Sequence, residues 1–338
     1  MTKLIIQIPC LNEAESLPDT LVALPRIIPG IDTIEILVID DGSTDNTADV
    51  ARRFGAHHVI RHRRNRGLAA SFQTGLDAAL AAGADIIVNT DADGQYAGED
   101  IGKLVAPILA NEADLVIGDR GVGRNEHFGF IKRRLQRLGS AVVRNLSGTE
   151  VTDAVSGFRA ISRAAAQRIT ITTEFSYTTD MLIQAGRKRF KIVSVPIRTN
   201  ATERPSRLFK SIPQFIARQL MTMARAYATY NPLRTFALIG AIMAAIGLIP
   251  MARFLVLWAI GQGDGHIQSL VLGGAFLVMG VLTGLLGVLA ELIGANRKLL
   301  EAALAHIRRL EQDVAALRDQ SNSAIPSAKT STADREAA

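Results

Sequence analysis

The sequence predicts an α/β domain, built on a mostly parallel sheet with helices on both faces, followed by a hairpin of two membrane-spanning helices. Three observations predict it. Short β-branched apolar runs alternate with helical-period segments through the first part of the chain. Successive runs end in acid-bearing loops. Two long stretches without any charge lie in the last third.

The first strand is expected over Leu4–Ile8 and runs into Pro9-Cys10-Leu11-Asn12-Glu13. A helix is expected over Glu15–Ile28. The second strand, Ile34–Ile39, ends in Asp40-Asp41-Gly42-Ser43-Thr44-Asp45, with a helix over Thr44–Phe54. A third helix is expected over Leu68–Ala82. It leads into Ile86-Ile87-Val88-Asn89-Thr90-Asp91-Ala92-Asp93-Gly94-Gln95, a buried-strand pattern that ends in two carboxylates one residue apart. Alternate side chains of a strand share a face, so Asp91 and Asp93 converge if the extended geometry persists past Thr90. Two hard oxygen ligands suit Mg²⁺ or Mn²⁺, which complete their shells with water and substrate phosphates. An N-cap followed by a turn would use the same residue types. A parallel sheet decides between the readings, because it collects Glu13, Asp41, Asp91 and Asp93 on one edge. Ligands of open α/β sheets bind beyond the carboxyl ends of the strands.

The chain has 338 residues, enough for about two domains, and 38 basic against 32 acidic residues leave a formal net charge of +6. Basic clusters lie at Arg61–Arg66, Lys132–Arg134 and Arg187–Arg189, the last read as a solvated face. No zinc-finger spacing, RNP-like run or heptad-linked basic region accompanies them, and only 5% of residues are aromatic. Nucleic acid is therefore not an expected partner. A single cysteine, Cys10, excludes an internal disulfide and fits a reducing compartment. Leu4–Ile8 is too short for the apolar core of a secretory signal.

Phe236–Ala252 gives 17 residues without a charge and Ser269–Ala290 gives 22. Such lengths cross about 30 Å of hydrocarbon. Spans are expected at about 235–260 and 268–292, within a hairpin over 232–293. Arg253 lies about 26 Å along the helix from Phe236, where it can snorkel to the far interface near Trp258. The connector Gly261–His266 has no Lys or Arg, whereas Arg218, Arg225 and Arg234 precede the hairpin and Arg297 and Lys298 follow it. The positive-inside rule then puts both termini in the cytoplasm, on a multi-pass protein of the inner membrane. Residues 208–231 read as an amphipathic juxtamembrane segment on anionic lipid, or as an ordinary packing helix. Residues 294–320 read as a cytoplasmic helix whose Leu300, Ala303, Ile307, Leu310, Val314 and Leu317 step 3-4-3-4-3. That seam is either a homo-oligomer contact or a surface that packs on the catalytic half. Residues 321–338 are Ser/Ala/Thr-rich and expected to be disordered.

The ordered motifs Pro9–Glu13, Ile39–Asp45 and Asp91–Gln95 resemble those of the family 2 glycosyltransferases. Gly118-Asp119-Arg120 and Asp153-Ala154-Val155-Ser156-Gly157-Phe158-Arg159 resemble the polyprenyl-phosphate branch, typified by dolichol-phosphate mannosyltransferase. Arg204 and Lys210 resemble that branch's basic loop after the last strand. The likeness covers about residues 4–210, and it departs at Leu11, where the branch often has an aromatic, and at Pro205–Phe209. It implies a Rossmann-like glycosyltransferase A-type fold over 1–207. The implied activity is inverting transfer from a GDP- or UDP-linked sugar to a polyprenyl phosphate. Pro9, Leu11, Asn12, Glu13, Ile39 and Asp41 would then hold base and ribose, with Ala92 lining the donor site. Asp91, Asp93 and Gln95 would hold Mg²⁺ or Mn²⁺ at the diphosphate, and Asp93 would be catalytic. Arg120, Arg204 and Lys210 would clamp phosphate oxygens, and Arg133, Arg134 and Ser156 would meet the acceptor. Asp153 would orient or deprotonate the acceptor, unless it only caps the Ser156-Gly157 turn. A processive polysaccharide synthase shares this fold, but two spans are few for a channel and no Gln-x-x-Arg-Trp motif follows Asp180. A non-catalytic nucleotide-sugar scaffold would have lost these phosphate-binding residues, and all of them stand.

Overall fold

The computed structural model describes residues 1–121, 151–171, 177–200, 221, 227–228, 231–262 and 267–323. Arg133, Arg134, Arg204, Lys210, most of the 208–231 segment and the chain beyond 323 lie outside the described residues.

Seven strands form one sheet: β1 (Lys3–Cys10), β2 (Thr33–Asp40), β3 (His58–Arg61), β4 (Ile86–Asn89), β5 (Leu115–Asp119), β6 (Arg159–Ser162) and β7 (Ile192–Pro196). Their order is β3-β2-β1-β4-β6-β5-β7. Every pairing is parallel except those of β6, which runs antiparallel to β4 and β5. The period-2 alternation of β1 sends Ile5 to one face and Leu4, Ile6 and Ile8 to the other, and all four are fully buried. The Ile5 face packs against α3 (Leu68–Ala81), α5 (Arg163–Arg168) and α6 (Tyr177–Arg187). The opposite face packs against α1 (Leu17–Val22), α2 (Thr47–Arg53) and α4 (Ile101–Leu109). Burying each such Leu or Ile contributes about 1.5–3 kcal/mol.

Three elements differ from expectation. Helix α1 is six residues long rather than extending to Ile28, because Pro25 disfavours helical backbone in the residue before it. Strand β3 occupies the start of the basic cluster and pairs only with β2, as a four-residue edge. The reversed β6 brings Asp153–Phe158 back to the edge where β4 ends, since Asn89 pairs with Arg159.

Beyond the sheet lie α7 (Pro232–Ala259) and α8 (Ile267–Ser323), whose apolar portions Pro232–Ala259 and Ile267–Arg297 are each long and apolar enough to cross a membrane. The helix α8 runs without a break for 57 residues, from the second candidate span through the segment 294–320. Glycines spaced by seven let α7 and α8 approach closely. A Cβ on Gly247 would stand 2.5 Å from the Gly273 carbonyl oxygen, and one on Gly240 would stand 2.5 Å from that of Gly280. Small residues of this kind let apolar helices pack without a hydrophobic driving force from water. The catalytic half joins this hairpin where Arg187 Nη2 donates to Asn231 Oδ1 (3.1 Å) and where α5 meets α8.

Gly247→Val is expected to destabilise the hairpin by about 1–3 kcal/mol through overpacking. Gly274→Val, at a position with nothing within 4 Å, is expected to be neutral. Thermal unfolding of the two variants in one detergent compares them directly.

Candidate active site

The first two edge loops are stitched together. Asn12, at φ 56°, donates its backbone N–H to Ser43 Oγ (2.9 Å) and accepts from the Thr44 N–H at Oδ1 (2.8 Å). The Glu13 N–H donates to Thr47 Oγ1 (3.0 Å), and Asp45 accepts from the N–H groups of Ala14 (3.1 Å) and Thr47 (3.0 Å). Pro9 lies beside Ile39 in register, and Leu11 stands exposed at the rim. Ile39 departs from its expected role, because its side chain is fully buried in the core and only its main chain reaches the edge.

Asp41 also faces inward. Its Oδ1 accepts from the Arg66 N–H (2.9 Å) and meets His62 Nδ1 (2.7 Å), while Oδ2 accepts from the Gly67 N–H (2.8 Å). Gly42 fits under this loop: a Cβ there would lie 2.6 Å from the Arg64 backbone. Asp41 therefore clips a loop that presents exposed Arg63, Arg64 and Arg66 at the edge. The sequence signal for this was available, since the basic run sits between a short strand and the Gly67 that opens α3.

At the centre of the edge, β4 ends at Asn89 and the chain turns. The extended geometry does not persist past Thr90, so strand alternation does not set the relation of Asp91 to Asp93. Asp93 Oδ1 accepts from the Gln95 N–H (3.0 Å) across Gly94 at φ 68°. The turn is held from outside by Asn200, which donates its N–H to the Gln95 carbonyl (2.8 Å) and its Nδ2 to the Gly94 carbonyl (2.9 Å). Ala92 is buried, with its carbonyl accepting from Thr20 Oγ1 (3.0 Å). The turn, rather than strand periodicity, brings the two carboxylates into range of each other. Burial first, and then the Asp93 charge, push the Asp91 carboxyl from 3.8 up to about 7, against the opposing pull of Arg120 and a hydrogen bond from Tyr96.

The wall behind Asp91 comes from the loop before β6. A Cβ on Gly157 would lie 3.2 Å from both Asp91 carboxylate oxygens and 3.1 Å from the Tyr177 hydroxyl. Tyr96 accepts from the Gly157 N–H (3.2 Å), and Asn89 Nδ2 donates to the Gly157 carbonyl (2.9 Å) and to the Tyr177 hydroxyl (3.1 Å). Arg120 is fixed by Asp153, donating Nε to Oδ2 (2.7 Å) and Nη2 to Oδ1 (3.0 Å). Ser156 departs from the acceptor role expected for it, because it is fully buried behind this loop. Asp180 is likewise buried inside α6, where it accepts from Gln184 Nε2 (3.1 Å). Three contributors have no role in the sequence reading: Tyr96, Tyr177 and the fully buried Arg159, which donates to the carbonyls of Ser156, Thr178 and Ala154, each at 2.8 Å.

The donor set suits a divalent cation. Two crowded carboxylates hold a proton to about neutral pH, and a cation would replace that proton and relieve the repulsion. Among the described residues no group of three or more His, Cys, Asp or Glu could hold a metal by itself. Such a sparse protein share matches ions that complete their shells with substrate phosphates and water.

Residues 5–170 match the family model described as Glycosyl transferase family 2. The UDP-N-acetylglucosamine–dolichyl-phosphate N-acetylglucosaminyltransferase of Methanococcus voltae is 32% identical over 189 residues, covering 50% of this chain and 75% of that protein. The undecaprenyl-phosphate mannosyltransferase of Micrococcus luteus is 32% identical over 200 residues, covering 56% of this chain and 80% of that protein. The chain belongs to glycosyl transferase family 2. Its fold is of the glycosyltransferase A type. It matches glucosyl-3-phosphoglycerate synthase from Mycobacterium tuberculosis, crystallised with Mn²⁺, UDP and phosphoglyceric acid, at a TM-score of 0.51. That match has 21% identity and covers 66% of this chain and 78% of that one.

Two outcomes are expected of this glycosyltransferase. Gly157→Ala should displace the Asp91 carboxylate and lower turnover by about tenfold or more, with the thermal midpoint little changed, because the neighbours of the added methyl must give by a few tenths of an ångström. Steady-state kinetics beside a melting curve test it. The second concerns pH. A carboxyl raised in the folded state stabilises the fold fully below its ordinary range and loses that contribution as pH rises through about 7. Metal-free protein should therefore lose stability between about pH 4 and pH 7, and added Mg²⁺ or Mn²⁺ should raise the thermal midpoint more at pH 8 than at pH 6. Asp93→Asn, which removes the second cause of the shift, should flatten both trends.

Proposed function

We propose that this enzyme transfers a sugar, with inversion, from a nucleotide sugar to a polyprenyl phosphate at the cytoplasmic face of the inner membrane. One observation carries the reading: the domain that bears a carboxylate edge suited to a nucleotide diphosphate is tied, through Arg187 at the far end of α6 and Asn231, to the start of the first candidate membrane span. The relatives that act on dolichyl and undecaprenyl phosphates support the lipid acceptor.

In this reading Asp91 and Asp93, with Gln95, would hold Mg²⁺ or Mn²⁺, which would supply positive charge to the departing nucleoside diphosphate. The loops Pro9–Glu13 and Asp41–Ser43 receive the nucleoside, with Leu11 at the rim and the Ile39 main chain at the floor. Arg120 offers positive charge beside Asp91, and Asp153 serves as its orienter. A lipid phosphate oxygen is already anionic at neutral pH and attacks without a strong base. Arg204 and Lys210 follow the Asn200 clip on the Asp93 turn, where a segment can close over the diphosphate and exclude water. Arg133 and Arg134 receive the acceptor phosphate. Residues 1–207 form the catalytic domain, 208–231 lie along the membrane surface, and 232–293 span it twice with both termini in the cytoplasm.

Purified enzyme in detergent, given polyprenyl phosphate and a panel of labelled GDP- and UDP-sugars, is expected to yield a labelled lipid. Asp93→Ala or excess chelator should abolish the product, and Mg²⁺ or Mn²⁺ should restore it only after chelation. Full transfer by chelated enzyme, or labelling of a water-soluble product alone, overturns the proposal.

A further inference from the structure

The described positions of the heptad seam beyond the second span do not pack on the catalytic half. Leu300, Ile307, Leu310 and Val314 are all exposed, between 51% and 71%. Because α8 continues unbroken from the span, the same 3-4 register extends back one heptad through Asn296 and Ile293, both exposed. The seam then runs for nearly four heptads, long enough for a coiled coil. It is also distinct from the hairpin contact. The glycines against α7 are Gly273, Gly280 and Gly287, and helical geometry turns them well away from the seam.

We infer that α8 pairs with α8 of a second copy of this chain as a parallel two-stranded coiled coil, from about Ile293 to Leu317. The occupant follows from the pattern itself. β-branched residues stand at three a positions, Ile293, Ile307 and Val314, and Leu at the last two d positions, Leu310 and Leu317, a combination that favours two parallel strands. The register assigns His306 and Asp313 to g, and Glu311 and Arg318 to e of the following heptads. In a parallel pair, g faces the next e of the partner, so the sequence sets Asp313 opposite Arg318, an attractive match across the two copies. Asn296 is the one polar residue in the seam and stands at its end next to the second span. Parallel order rests on the membrane orientation proposed above: copies inserted the same way present their α8 ends in the same direction.

The test uses the full chain in membranes and in mild detergent. A dimer of twice 36.3 kDa is expected by light scattering. Leu310→Cys, in the seam, should form an oxidised dimer readily in membranes, whereas Gln312→Cys, outside it, should not, and the native Cys10 is buried and does not compete. Ile307→Glu with Leu310→Glu should weaken self-association by about tenfold or more, as expected for lost apolar burial, while transfer activity in detergent persists. A monomeric wild type, a trimer or larger assembly, or equal cross-linking at 310 and 312 overturns the inference. Mixing Leu300→Cys with Leu317→Cys protein and finding 300–317 links shows antiparallel strands. That result would overturn the shared orientation while leaving the transferase assignment intact.

Discussion

Arg159 is the residue on which the site geometry depends. Burying a guanidinium costs several kcal/mol unless its donors are satisfied, and here burial lowers its pKa to about 10. Its Nε, Nη1 and Nη2 each find a main-chain carbonyl, two in the loop before β6 and one in the first turn of α6. That single side chain thereby shapes the loop carrying both Asp153 and Gly157. Asp153 then fixes Arg120 by two bonds, and Gly157 forms the wall against Asp91. A lysine could not reproduce the arrangement, because one ammonium cannot reach three divergent carbonyls in a plane.

The polar tie through the sheet interior serves the same end. Gln7 Nε2 donates to Asn89 Oδ1 (3.0 Å), and Asn89 passes its own donors to Gly157 and Tyr177. Amides in mid-sheet are unfavourable unless paired. Asn89 is paired at both ends and Gln7 through its Nε2, though Gln7 Oε1 is left without a partner, and together they link β1, β4, the loop before β6 and α6 in one network. The aromatic stacks of Tyr96 on Phe158 (4.9 Å) and Phe72 on Tyr177 (4.1 Å) brace it from both sides of the sheet.

Much of this architecture is legible in the sequence, and what is not has physical causes. Strands β1, β2 and β4 are read from apolar runs because both their faces are buried. The two candidate membrane spans are read from their length and their freedom from charge. Strand β3 escapes because an edge of four residues with His and Arg at its ends carries little periodicity. The reversal of β6 escapes because direction is set by pairing with Asn89, a partner far away in sequence. Acids at strand ends are legible where a site would require them, as at Asp91 and Asp93. Whether a side chain faces out or in is decided by partners distant in sequence, so the inward orientation of Asp41, Ile39 and Ser156 is not legible there. Tyr96 and Tyr177 are invisible for the converse reason, since a lone tyrosine announces nothing until its hydroxyl meets a carboxylate or an amide.

The fastening of the chain as it leaves the sheet has a consequence for how the edge responds to acid. Arg198 pairs with Glu99 and Asp100 just before Asn200 clips the Asp93 turn. Burial alone would raise the Asp100 carboxyl, but hydrogen bonds from Arg198 and Lys103 hold it at about 2. Its stabilising contribution is present above the ordinary carboxylate range and is lost only as pH falls through about 2. Asp91, one turn away, changes charge near neutrality. Acidification therefore reaches the electrostatics of the edge long before it can loosen the outgoing strand: the enzyme can be titrated without being unbuckled.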